Sequence, residues 1–238
     1  MISLDLPRPA RVLAIGAHAD DIEFGCGATL AKWAAAGTEV HLCVCTDGSK
    51  GTWDPLADLT ELVATRVAEQ HAAADALGAR GVHLLGFVDG ELTHDLPVRA
   101  ALCRVIRESR PDVVLGHDPW RARRVHPDHG HAGQATLDGI VAARDPHFFP
   151  EQGLAAHRPQ TLLCFEPARV DHVETVSGFV DRKVDALLAH RSQWRSTMHI
   201  TNEAEHGAFV ARIHAEARAA GINAGVRAAE AFSRLDAL

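Results

Sequence analysis

Val12-Leu13-Ala14-Ile15 runs directly into Gly16-Ala17-His18-Ala19-Asp20-Asp21, so a short apolar segment ends in a histidine and two adjacent carboxylates. An apolar run bounded by glycine fits a strand buried on both faces, the form taken in parallel sheets. Similar runs recur at Val40–Cys45, Val82–Phe87, Val113–Gly116 and Thr161–Phe165. Helical signals fill the intervals. Thr29–Ala36 closes at Gly37, and Asp58 with Glu61 resembles a capping box that opens a helix through Leu77, which Gly78 ends. Val98–Glu108, Asp128–Ala143 and Val173–His190 are further expected helices. This alternation predicts an α/β fold around a mostly parallel sheet.

Three irregular segments, 47–56, 117–125 and 144–159, interrupt the rhythm. The first two follow expected strands, as does the loop after Ile15. Ligands in open α/β sheets gather beyond the carboxyl ends of the strands, so these loops are expected to converge on one crevice.

The 238 residues suit one large domain or two small ones. With 24 basic against 31 acidic residues the formal charge is -7, which argues against a protein that tracks nucleic-acid phosphates or an anionic membrane. Met1–Ala10 carries two prolines and no long apolar core, so neither a signal peptide nor a spanning helix is expected there. The five cysteines include no CxxC pair, which suits reduced, buried thiols and a cytoplasmic protein. The 16 histidines and the absence of tyrosine invite a metal hypothesis.

His18, Asp20 and Asp21 would be costly to bury together without positive charge between them, and a divalent cation supplies it. The plainer reading makes an aspartate the cap of the following helix and His18 a loop residue. His126-Pro127-Asp128-His129 places proline at a helix start and His129 in its first turn. Zinc in a catalytic site takes three protein ligands and keeps one position open, and His18, Asp21 and His129 supply such a set. His18-Ala19-Asp20 with His129 also spells the two-histidine, one-carboxylate triad of iron oxygenases, which the strand–helix alternation disfavours. Gly25-Cys26-Gly27 lacks the third glycine of a dinucleotide fingerprint, and 47–52 lacks the residue order of a P-loop.

Ala17–Asp21, Thr46–Gly51, Asp89–Leu92, Pro111–Val114, His126–His129 and His190–Gln193, in this order, resemble the PIG-L/LmbE-like deacetylases over about Arg11 to Gln193. The resemblance implies a single domain over residues 1–238 with a Rossmann-like three-layer sandwich. It also implies a metal-dependent hydrolase, usually using zinc (Zn2+) although Fe2+ or another divalent metal is possible. Such an enzyme removes the N-acetyl group from N-acetylglucosamine-containing molecules or cleaves a larger related amide. The expected partner is a small amide or amino sugar, with no nucleic acid or membrane, in a homo-oligomer, trimer or hexamer. A non-catalytic sugar-binding module is the rival outside enzymes, disfavoured by an aspartate free to accept a proton.

Residue by residue, the resemblance makes His18, Asp21 and His129 the metal ligands and Asp20 the general base. His126 is the donor to the oxyanion, expected as an imidazolium, with Asp128 orienting and charging it. Arg66 and Asp89 match positions that bind sugar hydroxyls, the plainer reading of Arg66 being a surface pair with Glu69. Arg124 stands where some relatives carry a mobile tyrosine and is expected to adjust the mouth of the site. Ala19 replaces the family's usual proline, and the glutamate after the aspartate pair is displaced to Glu23. His190 and Gln193 fit the final motif, with a packing role equally open.

Overall fold

The computed structural model describes residues 2–122 and 125–238. Its elements are β1 (Ser3–Leu4), β2 (Arg11–Gly16), α1 (Asp21–Ala35), β3 (Glu39–Thr46), α2 (Leu59–Leu77), β4 (Gly81–Phe87), α3 (Leu96–Ser109), β5 (Val113–His117), α4 (Pro127–Arg144), β6 (Thr161–Phe165), β7 (His172–Thr175), α5 (Val180–Ala189), α6 (Glu203–Ala224) and β8 (Ala229–Asp236). The strands form one sheet in the order β1-β7-β8-β6-β5-β2-β3-β4. Only β8 opposes the common direction, pairing antiparallel with both β6 and β7.

From β2 the chain steps to β3 on one side and later to β5 on the other. The connections therefore diverge between β2 and β5, which opens a crevice beyond their carboxyl ends. Successive side chains of a strand face opposite ways, and both faces here are covered. Val12 and Ala14 pack with Leu30, Trp33 and Leu77 of α1 and α2. Leu13 and Ile15 pack with Leu102, Ile106 and Ile140 of α3 and α4. Double coverage explains why β2 reads as continuously apolar instead of alternating. All five cysteines are free and buried.

The five strands expected from sequence are present, and Asp58 caps α2 by accepting from the backbone N–H groups of Thr60 at 2.9 Å and Glu61 at 3.1 Å. Two helix expectations need correction. The first helix starts at Asp21, eight residues before Thr29, and is broken at Cys26, where φ is -150°. There a side chain on Gly25 would lie 2.5 Å from the Phe165 ring. The break takes backbone donors out of the helical ladder, and Glu230 of β8 accepts from Ala28 N at 3.2 Å and Thr29 N at 2.8 Å. Lys183 of α5 holds the same carboxylate at 2.6 Å.

The expected helix over Val173–His190 is instead strand β7 followed by the shorter α5. The β-branched Val173, Thr175 and Val176 favour the extended chain, and Gly178 at φ +90° makes the turn before the helix. α6 and β8 have no counterpart in the expectations. α6 buries only a narrow line, Phe209, Ile213, Ala217 and Gly221. No helix among the described residues is long and apolar enough to cross a membrane.

Gly133 sets how closely α4 meets the sheet. A Cβ there would lie 2.6 Å from the backbone oxygen of His117. Gly133→Ala is expected to lower unfolding free energy by about 1–3 kcal/mol through overpacking. Gly207→Ala on α6, with no atom within 4 Å of the added carbon, should raise it by up to about 1 kcal/mol. Urea denaturation of the two variants checks the contrast.

Candidate functional site

The loop after β2 is fixed at both ends. Ala17 O accepts from Thr46 N at 2.9 Å and from the Thr46 hydroxyl at 2.8 Å. His18 N donates to Asp21 Oδ2 at 2.7 Å. Between them Asp20 adopts φ 90°, a left-handed conformation unusual for a residue with a side chain and of the kind concentrated at working sites.

Asp21 is the hub of the cluster. Its Oδ2 lies 3.3 Å from His18 Nδ1 and 3.2 Å from His117 Nε2, and its Oδ1 lies 3.2 Å from His129 Nε2. The His117 and His129 rings stack with centroids 4.5 Å apart, a contact that the glycine at 133 permits one turn along α4. On its other side His18 Nε2 meets Asp89 at 3.1 Å and Asp128 at 3.2 Å. His126 sets its ring edge-on to His18 at 4.5 Å. The surrounding crevice encloses about 400 Å³.

Three carboxylates around one imidazole set the charge. Burial disfavours the His18 imidazolium, yet hydrogen bonds to Asp128, Asp21 and Asp89 push it up to about 12. Burial also pushes Asp21 upward, but His117 and His129 hold it well below the usual carboxylate range. Asp20 is pushed up to about 7, mainly by burial, with Arg66 pulling the other way. His126 is lowered by burial and then by the neighbouring His18 charge. Both effects favour the neutral ring over the imidazolium expected for the oxyanion donor.

The donors fit a divalent cation. Ligand atoms of Asp21, His117 and His129 lie within 4.8 Å of one another, as do those of His18, His126 and His129. Imidazole nitrogen and carboxylate oxygen are the donors that zinc and related ions take. Asp20 Oδ2, Asp128 Oδ1 and His126 Nδ1 are buried with no hydrogen-bond partner among the described residues, so polar capacity here is available to a ligand.

The structure brings His18, Asp20, Asp21, Asp89, His126, Asp128 and His129 to this one crevice. Asp128 does not orient His126 as expected. Its Oδ2 accepts from Gly90 N at 2.7 Å and faces His18, with no hydrogen bond to His126 among the described residues. Arg66 is buried and donates to Ala19 O at 2.8 Å and Gly48 O at 3.1 Å, joining two site loops. The surface pair with Glu69 is absent, because Glu69 accepts from Ser192 N at 2.7 Å and from its hydroxyl at 2.6 Å. Arg124 lies outside the described residues. His190 is fully buried, 3.6 Å from Glu23, while Gln193 Nε2 donates to Gly51 O at 3.0 Å.

Sequence reasoning missed His117. The available signal was its place directly after the apolar run Val113–Gly116, at the strand end beside that of His18. Gln70, which donates to Glu23 at 2.7 Å in the interior behind Asp20, also carried no signal beyond polarity.

A protein-family model described as GlcNAc-PI de-N-acetylase (PIG-L) matches residues 13–140. Diacetylchitobiose deacetylase of Thermococcus kodakarensis is 34% identical over 187 residues, covering 77% of this chain and 70% of that protein. A 1D-myo-inositol 2-acetamido-2-deoxy-alpha-D-glucopyranoside deacetylase of Mycolicibacterium vanbaalenii is 33% identical over 233 residues, covering 77% and 81%. Among solved structures, N,N'-diacetylchitobiose deacetylase from Pyrococcus horikoshii superposes with a TM-score of 0.86 at 27% identity, over 96% of this chain and 84% of that one. The matched segment contains every member of the histidine–aspartate cluster, and by sequence and fold alike this chain belongs to the PIG-L family.

Proposed function

We propose that this chain is a metal-dependent amidohydrolase that removes the N-acetyl group from an N-acetylglucosamine-containing small molecule or glycoconjugate. The observation that carries the reading is the unpartnered Asp20 Oδ2, held by a left-handed backbone in the crevice beside His18, Asp21 and His129. The names of the relatives supply the acyl group and the sugar.

His18, Asp21 and His129 would hold the cation, zinc by their donor types, with Fe2+ or another divalent ion as alternatives. A divalent cation bound there polarises the amide carbonyl and makes water more acidic. Asp20 Oδ2 accepts the proton that the attacking water loses as its oxygen bonds to the carbonyl carbon. The same proton passes to the departing nitrogen as the C–N bond breaks, leaving a free amine and acetic acid, which ionises to acetate. His126 donates an N–H to the carbonyl oxygen as negative charge builds. Asp89 and Asp128 brace His18, His117 braces Asp21, and Arg66 ties the Ala19 and Gly48 loops together. Arg66 and Asp89 also line the crevice, where they are placed to bind sugar hydroxyls.

We read the parallel strands β4-β3-β2-β5-β6, with helices on both faces, as a Rossmann-like three-layer sandwich, and the 238 residues as one catalytic unit. The buried free thiols support action in the reducing cytoplasm. Assembly into a trimer or hexamer remains an expectation from family resemblance.

Elemental analysis should find about one transition metal per chain, and exhaustive chelation should abolish amine release until zinc is restored. Oxygen consumption, or sugar binding without product, would instead favour the oxygenase or the binding module. Release of an acid larger than acetate would indicate the larger-amide reaction.

Asp20→Asn should retain metal and lose on the order of 100- to 10,000-fold in kcat, since an amide cannot accept the proton. Asp21→Asn should mainly lose metal. Metal content measured beside turnover per bound metal separates the two roles.

His126→Ala is expected to lower kcat by roughly 100- to 1,000-fold with a smaller change in KM, because its hydrogen bond strengthens as charge develops. Steady-state kinetics on an N-acetylglucosamine conjugate reads the division.

A further inference from the structure

Gln193 is buried in the wall of the crevice, and its side-chain amide uses all four of its hydrogen-bonding positions. Its Nε2 donates to Gly51 O at 3.0 Å and to Ser192 Oγ at 3.1 Å, while its Oε1 accepts from Ser196 Oγ at 3.3 Å and Thr197 Oγ1 at 3.2 Å. One amide thus joins two walls. Ser196 and Thr197 belong to a single π turn, Trp194–Met198, a rare backbone form that collects at functional sites, and the turn ends at His199 with φ 59°.

These contacts close a ring on α2. Arg66 lies on this helix, and one turn further on Glu69 accepts from Ser192 N at 2.7 Å and from its hydroxyl at 2.6 Å. Next to Ser192, Gln193 holds the 48–51 loop through Gly51, and that loop lies back on Arg66. A Cβ at Gly48 would sit 2.9 Å from the guanidinium, and one at Gly51 would collide with it. Gly48 O accepts from Arg66 Nη1 at 3.1 Å, and Lys50 N donates to Asp89 Oδ2 at 3.0 Å. Both side chains placed to bind sugar hydroxyls therefore take part of their position from a loop that Gln193 holds.

We propose that Gln193 is a positioning residue for hydroxyl recognition: it latches the 48–51 loop to the turn at residues 192–198 and so sets Arg66 and Asp89 for the ring of the substrate. The inference rests on the deacetylase reading, which puts the sugar ring in this crevice. An amide is required. A carboxylate of the same size would face Gly51 O with an acceptor and a negative charge, and a thioether would leave all four partners unserved. Polar groups set for hydroxyls discriminate against a ring that lacks them, so the latch acts on substrates whose hydroxyls are read. His18 keeps Asp21 and Asp128 when the loop loosens, so metal content should hold.

The experiment compares zinc-loaded wild type, Gln193→Glu and Gln193→Met on N-acetylglucosamine and on N-cyclohexylacetamide, a ring without hydroxyls. Both variants should raise KM for the sugar by about ten-fold with kcat within about two-fold, and leave kcat/KM for N-cyclohexylacetamide within about two-fold of wild type. Thr197→Val, which removes one exposed partner of the amide, should raise KM for the sugar by about three-fold. An equal loss on both substrates would make Gln193 a structural residue only and overturn the proposal, as would an unchanged KM for the sugar. Wild-type kinetics in Gln193→Glu would overturn the need for a donor to Gly51.

Calorimetric titration of the chelated protein with N-acetylglucosamine gives an answer independent of turnover. Binding that weakens about ten-fold in Gln193→Met supports the latch even if no acetate is released, in which case the deacetylase reading alone fails. Binding indifferent to residue 193, or no binding to wild type, overturns the latch. Circular dichroism of each variant confirms that the fold is intact.

Discussion

Three carboxylates, the half-buried Asp21 and the buried Asp89 and Asp128, converge on the ring of His18, and the site depends on how their charge is balanced. They arrive from three places in the chain: the loop after β2, the segment after β4 and the first turn of α4. Bringing them together without a cation would be prohibitive in a water-poor interior. A proton on His18 offsets one charge, and a divalent ion offsets two. Electrostatic need and the supply of imidazole donors thus point to the same occupant.

The sheet makes that convergence possible. Its parallel strands deliver their carboxyl ends to one rim, and the divergence between β2 and β5 leaves a gap there. Close approach does the rest. Gly133 lets α4 descend onto the backbone of His117, which brings His129 against His117 and within reach of Asp21. Arg66 binds two loops through their backbone oxygens, so its burial is compensated by hydrogen bonds and not by an acidic partner.

Much of this was legible in the chain. Apolar runs marked the buried strands because both faces are covered, and the motif residues lay at strand ends where polar side chains have few structural reasons to cluster. Legibility failed where a residue's role depends on tertiary geometry. Val173 reads as helical or extended until its pairing with Ala231 of β8 is known. Asp128 sits two residues from His126 in sequence, yet the turn of α4 directs it to His18. His117 was hidden because a lone histidine after a strand has many bland uses, and only its stack on His129 gives it meaning.

The break in α1 has a bearing on the order of folding. Asp21 opens this helix, and a few residues on, the N–H groups of Ala28 and Thr29 are satisfied by Glu230, about two hundred positions later in the chain. The helix that Asp21 opens is therefore completed by β8, the strand that lies between β6 and β7 in the sheet. Contacts separated so widely along a chain form slowly, since closing the long loop precedes the gain from pairing. A nascent chain can contain all the histidines and aspartates of the cluster and still lack the clamp on the helix that Asp21 opens, so completion of the site is tied to β8.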